Sequence, residues 1–233
     1  MENNQQNGKI CVAIAAESTE KAITLAKTAE PHADVIEIRL DALTAPDPRP
    51  FTGALTTPLL FTNRAQWEGG SFNGSEDERL DILHQAIDAG AAFIDIELKT
   101  DASLQSELLN KAHLGNVQTI VSWHNFSSTP SQQGLRAILQ NQYKTGAKIG
   151  KIITMANSPS DVLRVLNLLV DAHEMGFPLI AFCMGPLGVI SRIATTEIGG
   201  YMTYAAADSS PGTAPGQLAV SSLKTIQGLL HGI

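Results

Sequence analysis

The sequence predicts an α/β fold, a (β/α)8 TIM barrel built as one domain over residues 1–233. Eight short runs rich in Ile, Val, Leu and Phe alternate with longer runs of helical period, and parallel strands need such a crossover between them. No linker, internal repeat or low-complexity tract divides the 233 residues, a length that suits one barrel. Hydrophobic residues make up 43% and charged residues 17%, which fits a large buried core. An open doubly wound sheet is the competing arrangement, and eight successive units favour closure.

The first strand is the apolar run 10–15, followed by a helix near 20–29. The second, 35–40, alternates Ile36, Ile38 and Leu40 with Glu37 and Arg39. The link 42–58 is rich in Pro and Thr, so no regular helix is expected there. A third strand at 59–62 leads to a helix at 76–89, where Leu80, Leu83 and Ile87 recur at spacings of three and four. Strands at 93–98, 118–123 and 149–154 alternate with helices at 102–113, 131–145 and 159–175. The last of these helices opens on Ser158-Pro159-Ser160-Asp161 and closes on Glu174-Met175-Gly176, a start with Pro in the first turn and a stop on Gly. After strand 179–183, the segment 185–200 has room for only a short helix. Strand 202–205 and a helix at 216–230, with Ala219, Leu223, Ile226 and Leu230 in phase, complete the chain.

Composition narrows the function. The net charge is −7 with no basic stripe, so nucleic acid is not an expected partner. The longest apolar stretch, 178–190, is broken by Gly185, Pro186 and Gly188 and is too short to span a bilayer. The polar start MENNQQNGK has no apolar leader, so a cytoplasmic protein is expected. Cys11 and Cys183 each sit in an apolar run and read as reduced core thiols. Two cysteines make no zinc framework, and His173-Glu174-Met175 only begins a metal-binding helix motif. The GAKIGK segment lacks phosphate-loop spacing and precedes a strand. The Asn-x-Ser sequons at Asn73 and Asn125 carry no meaning in the cytoplasm. No metal, flavin or nicotinamide cofactor is expected.

Charges on strands are more telling. Alternate side chains face opposite ways, so Glu37, Arg39 and Asp41 share one face of the second strand, and Asp95 and Glu97 one face of the fourth. With the apolar faces under the helices, these charges point into the barrel, where an unpaired charge costs several kcal/mol, to order of magnitude. Catalytic groups of such barrels cluster at the C-terminal strand ends. There lie Glu37, Arg39, Arg64, Glu68, His124, Lys151, Arg192 and Gln217. Lys151 stands between Ile149 and Ile153 on one face, a poor place for a solvated lysine. An amine withdrawn from water loses its proton more readily and becomes a nucleophile. Lys148, on the other parity, reads as a surface residue, as do His32, His84, His113, His173 and His231. A lone strand lysine also fits a barrel mouth, reaching for water. His124 also fits a loop cap, and each arginine an ion pair with Glu37, Asp95 or Glu97.

Six segments then form a recognisable set in order: EIRLD (37–41), FTNRAQWEGG (61–70), SWHNFSSTP (122–130), KIITM (151–155), MGPLGVISRI (184–193) and TAPGQ (213–217). Together they resemble the type I 3-dehydroquinate dehydratases, Schiff-base enzymes of the shikimate pathway, over most of the chain. The resemblance implies that Lys151 forms an imine with the C3 ketone of 3-dehydroquinate. It implies that His124 assists, takes the C2 proton and protonates the departing C1 hydroxyl, with Glu68 holding it. Arg192 and Gln217 would bind the carboxylate region; Glu37, Arg39 and Arg64 the ring hydroxyls and reacting centre; Met184 would pack on the ring. A homodimer is the family's common state.

Three departures stand out. Family members often begin with a β-hairpin under the barrel, expected here to be absent or shortened because about eight polar residues precede the first strand. The link 42–58 is short, which suggests a missing or reduced helix there, and Thr213, expected among the substrate-binding residues, stands where Ser is usual. Two other readings compete. A Schiff-base class I aldolase would share Lys151 but favour a Gly-rich phosphate site after strands seven and eight. A non-catalytic metabolite-binding barrel would not need both Lys151 and His124. The Pro- and Gly-containing loop 209–217 is placed to act as a lid.

Overall fold

The computed structural model describes residues 8–210 and 212–232. Its eight strands are β1 (Lys9–Ile14), β2 (Val35–Arg39), β3 (Leu59–Thr62), β4 (Phe93–Glu97), β5 (Gln118–Asn125), β6 (Ile149–Met155), β7 (Leu179–Met184) and β8 (Met202–Ala206). Parallel ladders join them in sequence from β1 to β7, and β8 returns to pair with β1. β7 and β8 meet without a ladder; the Tyr201 N–H donates to the Leu179 carbonyl at 2.9 Å and closes the ring there. The architecture is a TIM barrel.

The helices are α1 (Thr19–Ala29), α2 (Arg49–Ala54), α3 (Glu76–Asp88), α4 (Ala102–Leu114), α5 (Gln132–Lys144), α6 (Pro159–Glu174), α7 (Val189–Glu197) and α8 (Val220–His231). Ser75 and Glu78 form a capping box on α3, as Ser158 and Asp161 do on α6. The link after β2 contains α2, a reduced helix of six residues. Pro48 and Pro50 stand at and just inside its start, where the backbone N–H groups have no partner within the helix. α8 begins at Val220 rather than 216, since Pro215 and Gly216, the latter at φ +77°, hold that segment as a loop.

Strand parity divides the core. Ile36, Ile38 and Leu40 pack outward under the helices, whereas Cys11, Leu60, Phe93, Ile120, Ile149, Ile180 and Met202 fill the lower barrel. Phe93 meets Tyr201 edge-on at 6.4 Å at the lower end. The expected loss of the family's hairpin concerns residues ahead of Gly8, which lie outside the described residues. Cys11 and Cys183 are free and buried. Among the described residues, no helix is long and apolar enough to cross a membrane.

Candidate active site

Above the apolar plug the inward positions turn polar. Asp95 accepts from Lys151 Nζ at 3.0 Å, from Ser122 Oγ at 2.6 Å and from Arg64 Nη2 at 2.9 Å. Arg64 Nη1 reaches Glu97 at 2.9 Å and Ser122 Oγ at 2.6 Å. The second Glu97 oxygen accepts from Arg79 Nη1 at 2.6 Å. Arg79 comes from α3 and also holds Glu76, Thr100 and the Asn63 carbonyl. A line of alternating charges thus runs from the first turn of α3 to Lys151. Burial alone would raise the Asp95 carboxyl; Arg64 and Lys151 outweigh it and hold Asp95 well below the usual carboxylate range.

Lys151 is 4% exposed, yet it is not isolated as its strand suggested: Asp95 lies at 3.0 Å and Glu37 at 3.8 Å. Glu37 also accepts from Thr62 Oγ1 at 2.8 Å. The arginines divide sharply. Arg64 pairs with Asp95 and Glu97, and Arg39 pairs with Asp41 through two bonds of 2.6 and 2.8 Å. Arg192, on α7, pairs with no acid among the described residues. It lies 4.5 Å over the Phe182 ring and gives Nη2 to the Pro215 carbonyl at 3.0 Å. Its buried Nε and Nη1 have no hydrogen-bond partner among the described residues, and burial lowers its pKa to about 10.

His124 comes near the end of β5, stacked on Phe126 with ring centroids 5.9 Å apart. Gly69, at φ +78°, makes room for that stack, since a Cβ there would lie 2.4 Å from the Phe126 ring. Glu68 Oε1 accepts from the His124 backbone N–H at 2.9 Å and faces Nδ1 at 3.1 Å. Burial first, then the charges of Arg64 and Lys151, holds the imidazole well below its ordinary pKa. It is therefore neutral, with Nδ1 occupied by Glu68 and Nε2 left to exchange a proton. Burial raises the Glu68 carboxyl to about 7 against the pull of Arg64.

That raised value has a measurable consequence. A carboxyl easier to protonate when folded stabilises the protein below its unfolded value near 4.5, and this contribution is lost as pH rises through about 7. Glu68→Gln removes the titration. Between pH 4.5 and 8 its stability relative to wild type should shift in the variant's favour by about 2–3 kcal/mol. Denaturant melts at both pH values measure this, and an unchanged difference would show that Glu68 does not titrate in that window.

All ten candidates meet at one cavity with about 540 Å³ of unfilled space, open mouth included: Glu37, Arg39, Arg64, Glu68, His124, Lys151, Met184, Arg192, Thr213 and Gln217. Gln217 Oε1 accepts from the Thr213 N–H at 2.6 Å, and the Thr213 hydroxyl lies 3.3 Å away, so the hydroxyl of this loop stays in its hydrogen-bond set. Lys148 is exposed in the bend that precedes β6. Sequence reasoning missed Phe126, Phe182 and Tyr204, which also line the cavity, and Ser122 and Arg79 behind it. Among the described residues no group of three or more His, Cys, Asp or Glu is placed to hold a metal ion.

The sequence profile of the type I 3-dehydroquinases matches residues 10–233. The chain belongs to that family. It is 44% identical to the 3-dehydroquinate dehydratase of Desulfotalea psychrophila over 218 residues, covering 94% of this chain and 96% of the relative. Two solved structures of 3-dehydroquinate dehydratases share this barrel. The Geobacillus kaustophilus 3-dehydroquinate dehydratase superposes with a TM-score of 0.90 at 28% identity, over 97% of this chain and 92% of the other. The type I enzyme of Clostridium difficile, solved with covalently modified comenic acid, gives 0.89 at 30% identity, over 97% and 93%.

Proposed function

We propose that the chain is a 3-dehydroquinate dehydratase that removes water from its substrate through an imine on Lys151. The observation that carries the proposal is one buried lysine amine sharing a cavity with one neutral imidazole, His124. The Lys151 nitrogen adds to the C3 ketone and water leaves. The protonated imine is a stronger electron sink than the ketone, so the C2 proton becomes easier to remove. His124 Nε2 takes it and returns it to the departing C1 hydroxyl, a role worth about 10²–10⁴-fold for one histidine. In its ionised form Glu68 accepts from Nδ1–H and so keeps the ring in the tautomer that leaves Nε2 free to take a proton. Glu37, Arg39 and Arg64 surround the ring hydroxyls and the reacting centre, and Met184 covers the ring. Thr213 and Gln217 bring the loop over the site.

Arg192 is the anchor for the substrate carboxylate, because its two unpartnered N–H groups need a planar acceptor. Charged hydrogen bonds of about 1.5–3 kcal/mol translate to about a 10–100-fold rise in KM for Arg192→Ala, with a smaller change in kcat. Steady-state kinetics measure it, and an unchanged KM puts the carboxylate elsewhere.

The proposal is tested by ultraviolet absorbance of 3-dehydroquinate with the purified protein, with and without a chelator. Growth of the enone band in both samples supports it. A folded protein giving no growth, yet cleaving a sugar phosphate, would point to the aldolase; calorimetric binding without turnover would point to a binding barrel.

The same reading has the protein working in the cytoplasm as one barrel domain and a homodimer. Exposed apolar side chains on the adjoining helices α6 and α7 support the dimer, with Leu163 68%, Val170 57% and Ile190 58% exposed. Sedimentation at micromolar concentration distinguishes dimer from monomer.

A further inference from the structure

Tyr204 has no part in the chemistry so far. It is 5% exposed on β8, facing into the barrel beside Phe182 with ring centroids 6.0 Å apart. Its hydroxyl oxygen lies 3.0 Å from Lys151 Nζ, and its ring centroid lies 4.2 Å from the same nitrogen. Burial, reinforced by the negative charge of Glu37, pushes the phenol well above its ordinary pKa, so it keeps its proton and stays a neutral acceptor.

We propose that Tyr204 is a positioning residue for imine formation: it accepts one hydrogen of the Lys151 amine while Asp95 accepts another, which fixes the direction of the nitrogen lone pair. The proposal deepens the imine reading of this cavity and rests on it.

The hydrogen count of the nitrogen makes the case. An ammonium carries three hydrogens, and the nucleophilic amine carries two and one lone pair. Two acceptors stand 3.0 Å away, Asp95 Oδ2 and Tyr204 Oη, while Glu37 is farther at 3.8 Å. With both hydrogens held, the remaining tetrahedral direction belongs to the lone pair. That pair forms the bond to C3 as the carbonyl π pair moves to oxygen. The ketone oxygen then leaves as water with two hydrogens that began on the ammonium, and the iminium keeps one N–H. Ammonium plus ketone gives iminium plus water, so the positive charge beside Asp95 is unchanged. The single iminium N–H goes to the charged acceptor, Asp95. Tyr204 therefore acts on the free amine, before attack and again after product leaves.

The test is Tyr204→Phe in the full chain, which keeps the ring over the amine and removes only the hydroxyl. The other groups facing the amine are Cys11 on β1, Glu37 on β2, Arg64 after β3, Asp95 on β4 and His124 on β5, and these are the same in both proteins. Turnover is followed on 3-dehydroquinate, and the imine is trapped with borohydride and weighed intact across a pH series. The variant should lose about tenfold in kcat through poorer orientation, with KM within about twofold. Its pH of half-maximal trapping should fall, because the ammonium has lost an acceptor. A purely structural defect would lower the rate and leave that midpoint in place. An unmoved midpoint, with or without a rate loss, overturns the proposal while the imine reading stands. No trapped mass on the wild-type protein overturns the imine reading itself.

Discussion

Lys151→Ala should abolish dehydration of 3-dehydroquinate, with kcat falling on the order of 10⁴-fold or more, as when a covalent nucleophile is deleted. The barrel should nevertheless persist. Without the amine, Asp95 still has Arg64 at 2.9 Å and Ser122 at 2.6 Å, and Glu37 still has the Thr62 hydroxyl at 2.8 Å. No buried acid is stranded. Absorbance of the enone gives the rate, borohydride reduction with intact mass gives the adduct, and a thermal melt checks the fold. Substantial residual turnover would remove the covalent step. An adduct on Lys148 of the wild-type protein would show that the exposed amine ahead of β6 is the reactive one.

Arg79→Met should cost about 3–5 kcal/mol of stability, far more than a typical change on a helix. Arg79 is 1% exposed and makes the 2.6 Å bond to one oxygen of Glu97, itself fully buried. Methionine fills much of the volume but leaves that oxygen without a partner and frees the Asn63 carbonyl as well. The double variant with Glu97→Gln should recover part of the loss, because the stranded charge is the main penalty. Urea unfolding of the three proteins measures both terms. A cost below about 1 kcal/mol would mean that Arg64 alone satisfies Glu97.

The contrast between these two lysine and arginine positions explains what the sequence disclosed. Lys151 was legible because strand parity puts a lone amine between Ile149 and Ile153. The strands were legible for the same reason: short β-branched runs separated by helical spacing leave few alternatives. Arg79 was not singled out, although it shares the inward face of α3 with Leu83 and Ala86, and a cation on such a face needs a buried acid. Tyr204 lies in the run Met-Thr-Tyr-Ala-Ala, which reads as plain core. Its meeting with Lys151 depends on how a closed sheet brings β8 across from β6, and no local spacing encodes that. Pairing was equally hidden: Arg39 chose Asp41, two residues along its own chain, and Arg192 is left with no acid among the described residues. The six-residue helix α2 could be read only as a missing or reduced helix, because proline was taken as a breaker where it stands at a helix start.

The join between β7 and β8, held by a backbone bond rather than a ladder, is where the two halves of the anion-binding side of the cavity meet. Lys151, Asp95 and His124 are woven into continuous ladders, so their mutual distances resist deformation. Arg192 follows β7 and Gln217 follows β8, one on each bank of the join. The Pro215 carbonyl is moored across it, accepting from Arg192 at 3.0 Å and from the Gly185 N–H at 3.4 Å. It takes only Nη2 of the cation and leaves Nε and Nη1 open. An incoming carboxylate can meet Nε and Nη1 while Nη2 keeps that mooring, so capture beside the join need not disturb the strand pairings that hold the reacting atoms.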